Sequence, residues 1–262
     1  MSKSKNTNDS STGFNPVASD YTLSTPPIPS EYLQLLQNTF KLENADRVID
    51  LGCGSGLLTF GLRSFSHKIE GLDESTHMIE LAKQLDTKTE VAWICKPIQA
   101  YSFSQDFYSL IISFEAFHLF PDQHALIKRI HHGLKKGGSF CIGWCIYHWE
   151  EELKSIIVET FSHFGISWGE WGYQACPYIS KLLRESGLSF TELRTDSVAI
   201  NTTAEVATVA KFLSCINKAL VLKQDERDSL CKLLQERFSS LLHSEFLYGN
   251  STYFLSYVSK LS

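Results

Sequence analysis

Residues 48–56 read Val-Ile-Asp-Leu-Gly-Cys-Gly-Ser-Gly, and residues 71–73 read Gly-Leu-Asp. An apolar strand runs into a loop with glycine at every second position, and a helix follows. A second strand then ends in another acid. This arrangement holds a ribose-bearing ligand over the carboxyl ends of a parallel sheet. Gly52, Gly54 and Gly56 make G-x-G-x-G, whereas the dinucleotide fingerprint G-x-G-x-x-G needs glycine where this chain has Leu57. The dinucleotide loop presses a pyrophosphate onto a helix N-terminus. Here Asp50 sets a carboxylate at the mouth of the loop, which suits an ammonium-bearing ligand and repels a pyrophosphate.

The block from Val48 to Gly56 resembles, at every position, motif I of the Rossmann-like (class I) methyltransferases that use S-adenosylmethionine (SAM). The resemblance covers about residues 18–147 well and the rest in outline. Within the family it is nearest the UbiE-like and trans-aconitate-methyltransferase-like small-molecule branch. Members commonly show Gln-Ala-Phe-His-Trp-Phe after the fourth strand, then a helix and Leu-Lys-Pro-Gly-Gly. This chain has Glu115-Ala-Phe-His118-Leu-Phe-Pro121, then Leu134-Lys-Lys-Gly-Gly138. The Asp/Asn-Pro-Pro-Tyr of base-amine methyltransferases is replaced here by Ser113-Phe114-Glu115-Ala116.

The resemblance implies an α/β fold: a Rossmann-like, seven-stranded, mostly parallel sheet with helices on both faces. The last strand is inserted antiparallel between the fifth and sixth, and helical lid insertions are added. It implies SAM as cofactor. Gly52, Cys53, Gly54 and Gly56 pass beneath the methionine part, and Asp50 orients the loop and the amino group. Asp73, with Glu74 beside it, accepts the ribose hydroxyls or is a turn acid and helix cap. Met78 and Ile98 cover the adenine or are core. Ser113, near the end of the fourth strand, is counted with the cofactor-binding residues, and Tyr21 closes over the methionine carboxylate. Relatives often place an adenine-binding Asp where this chain has Pro97, so that contact is missing or passes to Gln99. His118 is the one candidate catalytic base, or it positions the cofactor or the backbone. His148, His163 and Glu170 are weaker candidates.

At 262 residues the chain fits one domain with an insertion or lid. We expect residues 1–15 to be a disordered polar tail and 16–262 the methyltransferase domain. Within it, 45–147 is the cofactor-binding half, and 148–187 and 203–243 are lid or substrate helices. The net charge of −5, without a Lys/Arg stripe, argues against nucleic acid or an anionic membrane as partner. Seven cysteines without a C-x-x-C pair read as reduced thiols of a cytoplasmic protein, and no metal site is expected.

The elements expected are strands at Arg47–Leu51, Lys68–Leu72, Glu90–Cys95, Ser109–Phe114, Ser139–Ile146, Leu188–Thr195 and Thr252–Val258. Ser30 and Ser75 are expected to cap helices, and Pro26–Pro29 to end an extended arm. The helix after Pro121 should stop near Lys135 at Gly137-Gly138, and two further helices should span 203–222 and 224–243. The aromatic segment 148–187, rich in Trp and Tyr from Trp168 to Tyr178, is expected to close with the Tyr21–Pro29 arm over a small, apolar or aromatic acceptor. The acceptor atom is left open. The alternatives are a methyltransferase of protein or RNA, or a SAM-binding protein without catalysis. Isothermal titration is expected to show binding of SAM and none of NAD; tight NAD binding without SAM affinity would overturn the loop assignment.

Overall fold

The computed structural model describes residues 14–43, 46–167, 175–242 and 245–261. Its strands are β1 (Arg47–Leu51), β2 (Lys68–Asp73), β3 (Val91–Cys95), β4 (Tyr108–Phe114), β5 (Leu134–His148), β6 (Arg194–Glu205) and β7 (Phe246–Ser259). They form one sheet in the order β3-β2-β1-β4-β5-β7-β6. β1 to β5 pair in parallel, and β7 pairs antiparallel with both β5 and β6. This is the expected Rossmann-like sheet, including its antiparallel insertion.

The α-helices are α1 (Ala18–Ser24), α2 (Ser30–Phe40), α3 (Leu57–Leu62), α4 (Thr76–Leu85), α5 (Gln123–Gly133), α6 (Glu151–His163), α7 (Ala175–Ser186), α8 (Val206–Cys215) and α9 (Gln224–Leu242). Side chains of successive strand residues face opposite sides of the sheet, so each central strand feeds two cores. Ile49, Leu51 and Ile111 pack with α5 and α7, around Leu126, Ile130 and Ile179. Val48, Leu110 and Ile112 pack with α2 and α3, around Tyr32, Leu36 and Leu62. A third core joins α6, α8 and α9 through Ile157, Phe161, Leu213, Leu234 and Phe238. Ser75 caps α4, its Oγ accepting the Met78 N–H.

Several expected boundaries move. The edge strand β6 lies at Arg194–Glu205, not 188–195. Its alternation of polar and apolar residues marks a strand with one face in solvent, while Leu188, Phe190 and Leu193 pack against the first core outside it. Because β6 takes residues 203–205, the next helix begins at Val206. That helix ends at Cys215, and a 3-10 turn follows over Asn217–Val221. β7 begins at Phe246 rather than Thr252, paired along β6.

α5 ends at Gly133, before the glycine pair. Leu134 already pairs with Tyr108, and the register jumps to Ser139 opposite Leu110, so Lys135–Gly138 form a bulge in β5. Gly137 supplies the positive φ of +75° that this bulge needs. The arm before Pro26 is helical (α1) rather than extended, and Pro29, not Ser30, is the N-cap of α2. The expected tail reaches too far: Phe14 and Asn15 are structured, and Asn15 Oδ1 accepts from the Ser75 hydroxyl at 2.7 Å. Residues 1–13 lie outside the described part.

Gly143 lets α2 lie tight on the sheet: a side chain there would run into the Tyr32 hydroxyl and the Phe114 ring. The Tyr32 hydroxyl also donates to the Phe254 carbonyl at 3.2 Å. Gly143→Ala is therefore expected to lower the unfolding free energy by about 1–3 kcal/mol. The check is a lower urea midpoint at constant m-value.

Candidate active site

A cavity of about 530 Å³ opens at the carboxyl ends of the parallel strands. Its floor on one side is the loop after β1. Gly52 and Cys53 both donate their backbone N–H to the Leu72 carbonyl, at 2.8 and 3.1 Å. Gly54 N–H donates to Asp73 Oδ2 at 2.9 Å, and the other Asp73 oxygen accepts from Ser75 N–H at 2.8 Å. The acid ending β2 thus fastens the glycine loop.

Two of the glycines show why no other residue stands there. Gly52 has φ +72°, and a side chain on it would collide with Ala116. Gly54 has φ +53°, and a side chain on it would meet only the Met78 sulfur, at 4.0 Å. It would therefore stand in the cavity itself, so this glycine keeps a cradle open for a ligand.

Asp50 is 1% exposed, and its Oδ2 accepts the Thr59 hydroxyl at 2.6 Å. Burial pushes its carboxyl up to about 7, with the Thr59 bond opposing and the Asp73 charge assisting. Burial also raises Asp73, against hydrogen bonds from the backbone N–H groups of Ser75, Gly54 and Glu74. Two adjacent acids whose ionisation is resisted by burial favour a cationic ligand group beside them.

Of the residues expected at the cofactor, Tyr21, Asp50, Gly52, Cys53, Gly54, Asp73, Glu74, Met78 and Ile98 line this cavity, as does His118. Four do not. Gly56 caps α3 and lies against Trp93, where a side chain would approach the indole to 2.5 Å. Ser113 is fully buried and donates to the Leu51 carbonyl at 2.9 Å, tying β4 to β1. Pro97 and Gln99 flank Ile98 on the outer surface, and from this stretch it is Lys96 and Ile98 that reach the cavity. His118 sits in a 3-10 turn after β4, and burial lowers its imidazole, favouring the neutral form. His148 instead bonds Thr252 Oγ1 at 2.8 Å, and His163 packs on Phe164; neither lines the cavity.

The far side of the cavity holds residues to which the sequence reading assigned no role. Glu115 follows β4 in the left-handed region, at φ +53°. Its backbone N–H continues the sheet to the Gly143 carbonyl at 2.9 Å. Its carboxylate then takes the place of the next β4 carbonyl, accepting the Cys145 N–H on Oε1. Although the side chain opens to solvent in the cavity, the protein packed around it pushes this carboxyl up to about 7, opposed by that N–H. The one sequence signal was an acid where the compared motif has Gln. Around it stand Tyr147 of β5, Tyr253 of β7, and Phe212 and Ile216 from and after α8.

The lid over this half comes from α1 and α8. Tyr21 packs on Phe212 at 5.8 Å between ring centroids, and Lys211 pairs with Asp20 at 2.7 Å. From the expected aromatic segment, Trp149, Phe161 and Phe164 belong to the third core. Trp168, Glu170, Trp171 and Tyr173 lie outside the described residues. Among the described residues no cluster of three His, Cys, Asp or Glu could hold a metal.

Comparison with known proteins points one way. Residues 42–225 match a family model described as a methyltransferase domain. The chain is 40% identical over 108 residues to malonyl-[acyl-carrier protein] O-methyltransferase of Priestia megaterium, covering 40% of this chain and 38% of that protein. It is 31% identical over 130 residues to carboxy-S-adenosyl-L-methionine synthase of Shewanella loihica, covering 45% and 52%. The match thus spans about half or less of these relatives' length. In fold it is similar to phosphoethanolamine N-methyltransferase 2 of Haemonchus contortus solved with SAM, at TM-score 0.57 and 15% identity, over 97% of this chain and 59% of that one. It is likewise similar to the YcgJ protein of Bacillus subtilis, at TM-score 0.53 and 15% identity, over 89% and 100%.

Asp73→Ala is expected to weaken SAM by about 1.5–3 kcal/mol, the contribution of hydrogen bonds to a charged group. Gly54→Val is expected to weaken it further, by filling the cradle. Titration calorimetry of both variants checks the order, and wild-type affinity in both would move the ligand elsewhere.

Proposed function

The chain belongs to the methyltransferase-domain family, and on that premise we propose that it moves a methyl group from SAM to a small, apolar or aromatic acceptor. We place it in the UbiE-like and trans-aconitate-methyltransferase-like branch. The observation that carries this reading is the single cavity with two unlike halves. One half has the glycine cradle and two acids, and the other has a wall of aromatic rings. Its volume of about 530 Å³ lies within the usual range of small-molecule sites. The free cysteines, among them buried Cys53, Cys141 and Cys215, suit a reducing, cytoplasmic setting.

SAM supplies a methyl group already activated on a sulfonium. The chain's task is therefore alignment and exclusion of water, which can contribute roughly 7–11 kcal/mol to a favourable reaction. In this reading Asp73 holds the ribose, Met78 and Ile98 enclose the adenine, and Asp50 orients the loop beneath the methionine part. Tyr21 and His118 border the same space, and α1 with α8 excludes water from it.

The test is a crystal structure with S-adenosylhomocysteine (SAH). We expect its ribose on Asp73, its adenine between Met78 and Ile98, and its sulfur turned toward Glu115 and Tyr147. Absence of binding, or a ligand outside the cradle, would reject the proposal.

A further inference from the structure

We propose that the acceptor is an amine, which Glu115 holds as its ammonium inside the aromatic half of the cavity and from which it takes a proton. This rests on the methyltransferase reading above and adds the class of acceptor and the group that activates it.

Position comes first. Glu115 precedes Ala116, and Ala116 packs so closely on Gly52 that this glycine admits no side chain. Glu115 therefore stands at the border between the cradle and the aromatic half. Its carboxylate is fixed at one oxygen by the Cys145 N–H. Among the described residues the other oxygen, Oε2, has no hydrogen-bond partner. A left-handed backbone at a non-glycine residue is a strained conformation, and such strain gathers at functional sites.

Surroundings come second. The rings about this carboxylate are Tyr21 from α1, Phe114 from β4, Tyr147 from β5, Phe212 from α8 and Tyr253 from β7. They touch in sequence: Tyr21 on Phe212 at 5.8 Å, Tyr147 on Phe212 at 6.3 Å, and Phe114 on Tyr253 at 6.2 Å. The titratable groups that feel the Glu115 charge are Tyr21, Tyr32, Tyr147, Tyr253 and the Cys145 thiol, each held more firmly protonated by it. None is a cation. Lys96 and Lys218 also reach the cavity, yet neither lowers the Glu115 carboxyl.

The Glu115 side chain is exposed to solvent through the cavity, and once a ligand displaces that water its carboxylate is unfavourable without a counter-cation. Aromatic faces attract the same kind of ligand, through the ring quadrupole. An anionic acceptor would be repelled, and a neutral hydroxyl would leave the carboxylate uncompensated. An ammonium on a small apolar frame satisfies both charge and wall.

The proton inventory closes. The ammonium gives one proton to Oε2, which frees the nitrogen lone pair. That pair forms the new bond to the donor methyl carbon, and the carbon–sulfur pair stays on sulfur. The product leaves as a secondary ammonium, and the proton on Glu115 passes to solvent. A carboxylate fixed at one oxygen and open at the other can take that proton and hand it on.

The experiment is calorimetric titration of SAH-loaded protein with benzylamine, phenethylamine and tyramine, each against its alcohol: benzyl alcohol, 2-phenylethanol and tyrosol. We expect at least one amine to bind about tenfold or more tightly than its alcohol, and Glu115→Gln to abolish that preference. Binding of the amine at pH 7 should release protons, because an ammonium beside Glu115 lowers its pKa. The release is read as a heat that differs between phosphate and Tris buffers, and it should vanish in Glu115→Gln. SAH and SAM affinities of the variant should stay within about twofold of wild type, which also reports that it folds. Amines that bind no better than alcohols, or a preference that survives Glu115→Gln, overturn the proposal alone. Loss of SAM relative to SAH in the variant assigns Glu115 to the donor and also overturns it. Failure of wild-type protein to bind SAH removes the methyltransferase reading, and this proposal with it.

Discussion

The cavity depends on one fastening. Asp73 ends β2 and accepts the N–H of Gly54, while the Leu72 carbonyl beside it accepts those of Gly52 and Cys53. A loop of alternate glycines has little conformational preference of its own. Bound to the neighbouring strand end, it becomes a rigid rim with three N–H groups spent on protein. The rim can then face a ligand only with its open, side-chain-free surface. Asp73 remains available there because its carboxylate offers about four acceptor sites, and the N–H groups of Gly54, Ser75 and Glu74 use three of them.

The same logic of sharing governs the layers. Central strands β1 and β4 supply both flanking cores by alternation, so they read as continuous apolar runs and are buried throughout or nearly so. The helices α6, α8 and α9 need no strand residues for most of their core. That independence lets α8 project Phe212 over the strand ends while remaining anchored from behind. The Lys211–Asp20 pair and the Tyr21–Phe212 contact join this helical layer to α1.

What the chain's letters disclosed follows from these differences. The glycine loop, its acid and the five parallel strands were legible because each depends on neighbours within a few residues. The exchange of Leu188–Thr195 for Arg194–Glu205 as the sixth strand shows the opposite case. An edge strand with one wet face carries half the apolar signal, and its pairing with β7 spans some fifty residues. Glu115 escaped for another reason. Its importance comes from the Cys145 N–H and from rings contributed by four other elements, none of which is encoded in the motif that contains it. Ser113 and Gln99 show the reverse: they sit in the motif but turn toward the interior of the sheet or the outer surface, outside the cavity lining.

The two halves of the cavity also differ in how the chain assembles them. The cradle side draws on β1, β2 and the turn after β3, all within residues 47–98. The aromatic side gathers Tyr21, Glu115, Tyr147, Phe212 and Tyr253 from across the chain. Contacts of long sequence separation pay more loop-closure entropy and form later in folding. The cradle half can therefore take shape on a partly folded chain, whereas the aromatic half exists only once β7 has slid between β5 and β6. Over evolutionary change the same asymmetry separates the two halves: substitutions in α1, α8 or β7 can reshape the aromatic half without disturbing the cradle.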